Sequence, residues 1–423
     1  MKLMSVQSKL IVTAVVLLFP HSPAHAQAAP QIPTQLTLEL GTEILLARNP
    51  TILRERQNIA MARAGVAQAR LRPNPEFEVT SESYPLFESN PGPFFQNNEL
   101  IVRAGQPIEI AGKRRKRTLV AEQEVEVIQS LLQDTIRQLK LELKTRYYRV
   151  VLAKAELELA RQVLAQFDEI IRINQLRYKQ GEISGLDLAR VETERRRFFD
   201  DLVAAELGLQ NAKTALLELL GASDLSAPFE VTEALTFRPL SVTAEQFQEQ
   251  ALRARDDLQA RRQQMERERR QVAFEKSLGV PNITPFLGYK RNLMDNTVTF
   301  GVRWNLPVFN RNQGEVARAT ARVDQAGHEV RRVELAVRSE VLQTYQSVQA
   351  EERRVRALES TYVASARKAR DIAQASYRLG ALDLIGFLDA ERAYRETLRG
   401  YNQALFAYQV SIYQLEAAVG KDF

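Results

Sequence analysis

The sequence predicts a mainly α-helical protein with a small β part, in which each chain carries long α-helical hairpins and four β-strands. Three observations predict this fold class. The 423-residue chain consists of two similar halves, each half has a Pro-free stretch long enough for a helix of about 65 residues, and four short segments alternate apolar with polar side chains. A repeat on this scale sets the architecture, because each half must form the same elements in the same order.

Residues 1–26 have the features of a secretory signal peptide. A basic start precedes an apolar run at residues 10–19, and a small-x-small cleavage sequence ends at Ala26. The apolar run is shorter than the roughly 20 residues that a membrane-spanning helix needs. We therefore predict an exported chain whose mature form begins near Gln27.

The mature chain divides into two structural repeats, residues 27–221 and residues 245–420. The segment from Tyr178 to Ser184 aligns with the segment from Tyr377 to Asp383, and the alignment continues to the glycine that ends each half. The two halves should therefore form equivalent elements. The remaining parts are a proline-containing connecting segment at residues 222–244 and a tail at residues 421–423.

Each half is predicted to contain a helix, a β-hairpin, a very long helix, a glycine turn and a last helix. The long helices would extend on the order of 100 Å, although most soluble helices have only three or four turns. In the first half these elements are predicted at residues 36–71, 75–108, 113–179, 180–185 and 186–220. In the second half a helix before Gly279 is followed by elements at residues 282–307, 314–379, 380–383 and 384–419.

Apolar residues in the lower part of the first long helix and at the end of the second follow the heptad spacing of a left-handed coiled coil, whereas residues 128–150 of the first follow an eleven-residue repeat. In the first helix the series runs from Ala153 through Phe167 to Ile171, in alternating steps of four and three. In the second helix the series ends on Tyr362 and Ile372 with the same spacing. These positions are predicted to face a neighbouring helix. A plain coiled-coil dimer is the alternative, and the four alternating segments argue against it.

The clearest alternating segment lies between residues 298 and 306. Its apolar and polar side chains alternate over about nine residues, the length of a tilted strand that crosses a bilayer. Phe77 and Leu100 lie in two further segments of this kind. The fourth segment is less regular because it contains Pro285, which cannot donate a ladder hydrogen bond. A soluble hairpin is the alternative interpretation.

Four membrane-crossing strands per chain predict an oligomer. About eight strands are needed to close a barrel, and an open sheet edge cannot face lipid. Several chains must therefore pool their strands around one ring. The physics requires association but leaves the number of copies open.

The composition excludes several classes of site. There is no cysteine, so disulfides and thiolate metal sites are impossible, and His328 is the one histidine that remains after residue 26. No arrangement of nucleophile, base and acid is visible. We predict that the chain is not an enzyme, needs no cofactor and holds no metal site. The net charge of +6 is too small, on an exported chain, to indicate nucleic-acid binding.

Residues 106–114 and 306–314 carry a resemblance to a known family. Together with the order of elements, they resemble the TolC-type outer-membrane factors over essentially the whole mature chain. Within that family they are most similar to the outer-membrane component of cobalt–zinc–cadmium-type heavy-metal efflux systems. The residues that we single out as the strand-to-helix junction are Pro107, Gly112, Lys113, Pro307 and Gly314.

The resemblance implies a homotrimer in the outer membrane. Twelve transmembrane strands would form one barrel in outer-membrane lipid, and the long helical hairpins would form a tunnel that extends into the periplasm. A periplasmic adaptor of the membrane fusion protein type and an inner-membrane, proton-driven RND-type transporter would be the partners. The implied function is a passive exit duct for efflux, with heavy-metal cations as cargo in the metal branch. The alternative is a secreted or periplasmic coiled-coil structural or adaptor protein without a channel.

The resemblance also implies that both glycine turns lie at the periplasmic tip, where the adaptor docks. A glycine there has a local role as well, because it supplies a positive φ at the end of a helix. The residues expected to form the docking tip are Arg177, Tyr178, Gly181, Ser184, Leu186, Tyr377, Gly380 and Asp383.

Family members close the tip through links among an Asp, a Tyr and an Arg. Asp187 and Tyr377 match the first two positions, but Leu382 occupies the arginine position. Of two acidic aperture positions only Asp389 is acidic, because the other is Gly386. A ring of Asp389 side chains would concentrate cations in a narrow pore. A solvated surface position is the alternative for this residue.

Five consecutive cations at residues 113–117 mark the start of the first long helix. Positive charge at a helix N-terminus opposes the helix dipole, so these residues need another explanation. Where a strand leaves the membrane they would meet lipid phosphates of the inner leaflet. A nucleic-acid patch is the alternative, and export argues against it.

Overall fold

The structure is a computed structural model that describes residues 32–84, 98–240, 243–292 and 295–423, together with residues 87, 89 and 93. The predicted signal peptide at residues 1–26 lies outside the described residues. No helix in the described part of the chain is both long and apolar enough to cross a membrane.

The first half contains two short helices, a β-hairpin and two long helices. The predicted helix at residues 36–71 is wrong in one respect, because it is broken at Asn49. The Asn49 side-chain oxygen accepts hydrogen bonds from the backbone N–H groups of Thr51 and Ile52, and so caps a new helix with proline at its first position. The elements are β1 (Gln35–Leu36), α1 (Leu38–Arg48), α2 (Pro50–Arg70), β2 (Glu76–Glu82), β3 (Glu99–Gly105), α3 (Lys113–Lys179) and α4 (Gly185–Leu219).

The second half has a corresponding break in its first helix, at the buried residue Arg255. The Arg255 guanidinium forms ion pairs with Asp257 and Glu340 and donates to the Ala418 carbonyl. The elements are β4 (Glu230–Val231), α5 (Ala244–Ala254), α6 (Asp256–Leu278), β5 (Ile283–Asn292), β6 (Asp295–Trp304), α7 (Gln313–Ala357), a π-helical turn (Leu358–Tyr362), α8 (Val363–Arg378) and α9 (Leu384–Val419).

The second long helix is not continuous, contrary to the prediction of one helix over residues 314–379. The π-helical turn at Leu358–Tyr362 adds one residue to a helical turn and therefore shifts the side-chain register. Beyond it Ala373 and Tyr377 are buried whereas Ile372 is exposed, so the heptad predicted through Ile372 is wrong. In α3 the predicted heptad holds, because Phe167 and Ile171 are buried.

The long helices pack as two hairpins beside each other. Helix α3 contacts α2, α4, α6 and α9, and helix α7 contacts α6 and α9. One core lies around Tyr147, whose ring is fully buried and whose hydroxyl donates to the Leu36 carbonyl at 2.8 Å. A second core around Phe167 and Phe387 lies closer to the glycine turns. The helices therefore hold the turns at one end and the sheet at the other.

The four alternating segments form one antiparallel sheet in the order β2-β3-β5-β6. Its register places apolar side chains side by side on one face. Phe77 lies opposite Ala104, which lies opposite Leu287, which in turn lies opposite Phe300. Because side chains alternate between faces, the other face carries the polar residues. The sheet thus has one apolar and one polar face.

Pro285 is accommodated because of where β3 ends. The ladder between β3 and β5 stops at the pair Gly105–Phe286, and the Gln106 N–H then donates to the Pro285 carbonyl at 3.1 Å. The missing proline N–H therefore falls beyond the last regular pair. The irregularity seen in the sequence marks the end of the regular β3–β5 ladder, while Pro285 still pairs with Val302 of β6.

Candidate functional site

The two glycine turns at the end of the helical hairpins have the same backbone geometry. Gly181 has φ +76° and Gly380 has φ +73°. After the first glycine, the Glu182 N–H donates to the Arg177 carbonyl at 2.9 Å, and after the second, the Ala381 N–H donates to Ser376 at 2.9 Å. These six-to-one bonds define Schellman motifs, in which glycine supplies the left-handed residue.

Ser184 and Asp383 cap the helices that follow the turns. The Ser184 hydroxyl accepts from the Asp187 N–H at 3.1 Å and donates to the Asp187 carboxylate at 2.8 Å. The Asp383 carboxylate accepts from the Gly386 N–H at 2.9 Å. Both predicted tip residues therefore have a structural task, since each satisfies a backbone donor that lacks a partner in the helix.

Arg177 connects the two hairpins within one chain. Its guanidinium donates to the Tyr377 carbonyl at 3.3 Å and to the Arg378 carbonyl at 3.2 Å. These carbonyls belong to the last turn of α8, at the negative end of the helix dipole, and the Tyr377 carbonyl also accepts from the Gly380 N–H at 3.1 Å. The same group lies 5.8 Å from the centre of the Tyr377 ring and pairs with Glu182 at 3.5 Å. Arg177 thus ties the end of α3 to the end of α8.

Tyr377 forms a second connection beside Arg177. Its hydroxyl donates to the Asn174 side-chain oxygen at 2.6 Å, and its ring stacks on Phe387 with centroids 5.2 Å apart. Burial raises the pKa of Tyr377, although the hydrogen bond to Asn174 and the charge of Arg177 oppose this shift. The phenol therefore stays neutral and acts as a hydrogen-bond donor.

Exposed apolar side chains surround both turns, and we call them the tip surface. A cluster of exposed large apolar residues beside polar caps indicates an interaction site rather than ordinary surface. Leu379 is 83% exposed, the highest value among them. The tip surface consists of Leu176, Tyr178, Leu186, Leu379 and Ile385.

The predicted gating residues lie near the tip but do not all meet within one chain. Asp187 bonds to Ser184 and lies 3.9 Å from Arg190, while the Tyr377 hydroxyl is occupied by Asn174. Asp389 is exposed and pairs with Arg392 at 3.1 Å. Leu382, for which the resemblance led us to expect an arginine, packs against the apolar core below the tip.

A second set of polar contacts joins the hairpins around the buried residue Glu391. Arg370 of α8 donates to Gln166 of α3 at 3.3 Å, and Arg395 of α9 pairs with Asp201 of α4 at 2.7 Å. Burial raises the pKa of Glu391, and the nearby charges of Arg370 and Arg395 oppose this shift. The two hairpins are therefore held together at two levels near the tip.

The polar face of the sheet carries charged side chains of both signs. Glu78 lies 3.5 Å from Arg303 and 3.8 Å from Arg103. The two guanidinium groups lie 5.9 Å and 5.7 Å from the centre of the Phe286 ring. Opposite charges on β2, β3 and β6 balance one another across this face, so it suits contact with water and ions rather than lipid.

The strand-to-helix junction differs between the halves. Pro107 and Pro307 each follow the end of a strand, where no ladder donor is needed. Gly112, with φ +68°, precedes α3, and the buried Lys113 donates to the Asn282 side chain. In the second half the left-handed residue before the helix is Asn312 rather than Gly314, which lies inside the first turn of α7.

Asn312 is accommodated in its left-handed conformation by its own side chain. The amide nitrogen donates to the Glu275 carbonyl at 2.9 Å and to the Glu275 carboxylate at 2.8 Å. Asparagine adopts positive φ more readily than most residues. Junction glycines are therefore not required in both halves.

Sequence reasoning missed the role of Asn174. Its signal was present, because Asn174 follows Ile171 by three residues and so continues the heptad of α3 as a buried polar position. A single polar residue in such a seam usually has a specific partner. The link from Arg177 to backbone carbonyls had no signal, since any residue type provides such an acceptor. His328 is exposed on α7, and the described residues contain no group of three or more His, Asp or Glu placed to hold a metal.

Comparison with known proteins identifies a family over most of the chain. Residues 42–222 and 248–421 match the sequence profile of the family described as outer membrane efflux protein. The gap between the two matched ranges, residues 223–247, covers most of the segment that connects the halves and the start of α5.

Two curated relatives and one solved structure illustrate the similarity. The chain is 25% identical over 361 residues to the cobalt-zinc-cadmium resistance protein CzcC of Cupriavidus metallidurans, covering 84% of this chain and 83% of CzcC. It is 27% identical over 307 residues to the nickel-cobalt-cadmium resistance protein NccC of Alcaligenes xylosoxydans xylosoxydans, covering 71% and 66%. Its fold is similar to that of the Campylobacter jejuni CmeC outer membrane channel, with a TM-score of 0.75, 14% identity and coverage of 90% and 85%. These proteins are resistance and channel proteins rather than enzymes.

Proposed function

The chain belongs to the outer membrane efflux protein family, and from that premise we propose that three copies form the exit duct of a tripartite efflux pump. The duct is a passive conduit in the outer membrane with a helical extension into the periplasm. The signal peptide at residues 1–26 directs export of the chain before the duct assembles. A periplasmic adaptor and an inner-membrane, proton-driven transporter of the RND type lie beneath it. The chain itself catalyses no reaction.

The observation that carries this proposal is the two-faced sheet with two open edges. Within the described residues β2 and β6 are the outer strands, and each leaves one row of N–H and C=O groups without a ladder partner. Lipid cannot satisfy these groups. Pairing β2 of one copy with β6 of the next satisfies them, turns the apolar face to lipid and encloses the polar face. Three copies supply twelve strands, enough for a closed barrel with an open centre.

We assign heavy-metal cations as the cargo. The names of CzcC and NccC give those proteins a role in resistance to cobalt, zinc, cadmium and nickel, and the first of them aligns over most of both chains. Cells that lack this chain are expected to become sensitive to these ions and to regain resistance when the gene is restored. Growth in graded concentrations of each ion and of organic toxicants measures this directly. Sensitivity to organic compounds alone contradicts the cargo, and unchanged resistance together with a soluble monomer contradicts the duct.

The tip surface and the two glycine turns are the proposed docking site for the adaptor. The residues assigned to it from the sequence are Arg177, Tyr178, Gly181, Ser184, Leu186, Tyr377, Gly380 and Asp383. The support is physical: Tyr178 and Leu186 are exposed, whereas Ser184 and Asp383 cap helices and shape the turns. A partner that covers the apolar side chains removes them from water.

We propose that Arg177 and Tyr377 hold the tip closed. They would do what the expected arginine does in the family, since Leu382 occupies its position here. Opening requires the second hairpin to move away from the first, and their shared contacts resist that movement. Asp187 and Asp389 remain the acidic groups of the aperture, although the Asp389–Arg392 ion pair lowers the net charge that an Asp389 ring would present. Cation attraction at the aperture is therefore weaker than that of an unpaired ring.

Replacing Arg177 with glutamine is expected to raise the conductance of the purified oligomer in a planar bilayer. The change removes charge-assisted hydrogen bonds to two carbonyls, and a loss of about 1.5–3 kcal/mol shifts a closed-to-open equilibrium by about tenfold or more. Arg172→Gln is the matched control, because Arg172 pairs with Glu169 of its own helix. Equal conductance of Arg177→Gln and the native protein excludes this latch.

A further inference from the structure

A basic surface at the junction between β3 and α3 has no role in the duct as described so far. Arg72, Arg114 and Arg115 line one cavity, together with Pro107 and Ile108. All three arginines are exposed, and none has a side-chain hydrogen bond or ion pair with another residue that the structure describes. We call these three arginines the junction surface.

The junction surface lies where positive charge is least favourable within the chain. Arg114 and Arg115 belong to the first turn of α3, at the positive end of its dipole. The acidic residue that lines the same cavity, Glu109, is already bound by both terminal nitrogens of Arg117, at 2.6 Å and 3.2 Å. Glu109 therefore does not neutralise the three arginines, and their exposed guanidinium groups are open to an anion from outside the chain.

The junction surface borders the apolar face of the sheet. Ile108 pairs with Ile283, and Ile283 lies opposite Trp304, so the alternation of the strands places these side chains on the apolar face. Exposed apolar surface is also present at the second junction, between β6 and α7, where Phe309 is 92% exposed. Aromatic residues next to cations at the edge of an apolar belt are typical of the boundary between lipid tails and headgroups.

We propose that the junction surface binds the phosphate of an anionic glycerophospholipid in the periplasmic leaflet of the outer membrane. This inference rests on the proposed function, which places the sheet in that membrane with the helices on the periplasmic side. Guanidinium groups suit the site because their planar donors bind phosphate oxygens in pairs. The bound headgroup neutralises the charges at the start of α3 and sets the depth of the sheet in the bilayer.

The test uses the full-length oligomer purified in a nonionic detergent. Dihexanoyl phosphatidylglycerol is titrated at constant ionic strength, and the midpoint of heat-induced dissociation is recorded on non-boiled gels. We expect phosphatidylglycerol to raise this midpoint, and dihexanoyl phosphatidylcholine or inorganic phosphate to raise it much less. In the double variant Arg114→Gln/Arg115→Gln, the lipid concentration for half of the effect should increase about tenfold.

The control variant carries the same loss of charge elsewhere. Arg196 and Arg399 are exposed on α4 and α9, far along the helices from the junction, so Arg196→Gln/Arg399→Gln should respond to phosphatidylglycerol like the native protein. Equal effects of phosphatidylglycerol and phosphatidylcholine, or of inorganic phosphate, overturn the headgroup site but leave the duct intact. A chain that is monomeric and soluble without detergent overturns the duct itself, so the two failures are distinguishable.

Discussion

Replacing Phe300 with arginine is expected to abolish assembly of the protein in the outer membrane. Phe300 is 84% exposed on the apolar face, in the middle of the ten-residue strand β6. A cation on the lipid-facing side of a barrel near the bilayer midplane costs about 2–4 kcal/mol. This free-energy cost arises once in each of the three proposed copies, so the oligomer is destabilised by about three times that amount. Membrane fractionation and non-boiled gels measure the loss of the heat-sensitive oligomer.

Thr297→Arg is the matched control for this experiment. Thr297 lies in the same strand, three residues from Phe300, and alternation puts it on the polar face next to Lys290. Water in the enclosed space hydrates an added cation there, so the oligomer should persist. If both variants assemble normally, the apolar face does not meet lipid. If neither variant forms the oligomer, β6 tolerates arginine on neither face. The experiment then gives no support for a lipid-facing side of the sheet.

Replacing Gly181 with leucine is expected to eliminate metal resistance while the oligomer remains in the outer membrane. The left-handed conformation of Gly181 costs an L-residue roughly 1–2 kcal/mol, which distorts the turn without unfolding the long helices. No atom lies within 4 Å of a Cβ added at this position, so the leucine side chain projects outward from the tip. It then occupies the space where the adaptor is proposed to dock. Resistance assays test the loss of efflux, and quantification of the oligomer in the outer membrane tests whether assembly is retained.

Two controls separate docking from backbone strain. Gly208→Leu places the same side chain on the exposed side of α4, again with no atom within 4 Å of the added Cβ, and resistance should be retained. Gly181→Asn keeps a residue that tolerates positive φ and adds little bulk, so resistance should be largely retained as well. Full resistance in Gly181→Leu refutes docking at this turn. Loss of resistance in Gly208→Leu shows that leucine on these helices is harmful wherever it lies.

Much of the fold was predictable because it depends on local patterns. Alternation around Phe300 identified a strand with two different faces, and the apolar spacing through Phe167 identified a helix with a packed seam. These patterns act over a few residues, and burial of one face follows from them directly. The helix breaks were missed for different reasons. Asn49 followed by Pro50 is a local capping signal that was overlooked, whereas Arg255 is held by contacts with Glu340 and Ala418, far away in the chain.

The candidate site was predictable only in part. The turn glycines were identified from the aligned halves, and the caps Ser184 and Asp383 follow from ordinary helix chemistry. The π-helical turn was not predicted, so the register of α8 beyond Leu358 was assigned incorrectly. The link from Arg177 to the Tyr377 carbonyl was also missed, because backbone acceptors leave no mark in a sequence.

The sequence alone determined the order of the elements, the extent of α3 and the two faces of the strands, since each depends on side-chain periodicity along one segment. Only the tertiary structure decided which polar groups meet across the hairpins, such as Tyr377 with Asn174, and which cations find no partner among the residues that the structure describes, such as Arg114 and Arg115. The physical reason is distance along the chain. Periodicity is a local property, whereas pairing depends on how segments some 200 residues apart are brought together, which packing of the whole molecule sets.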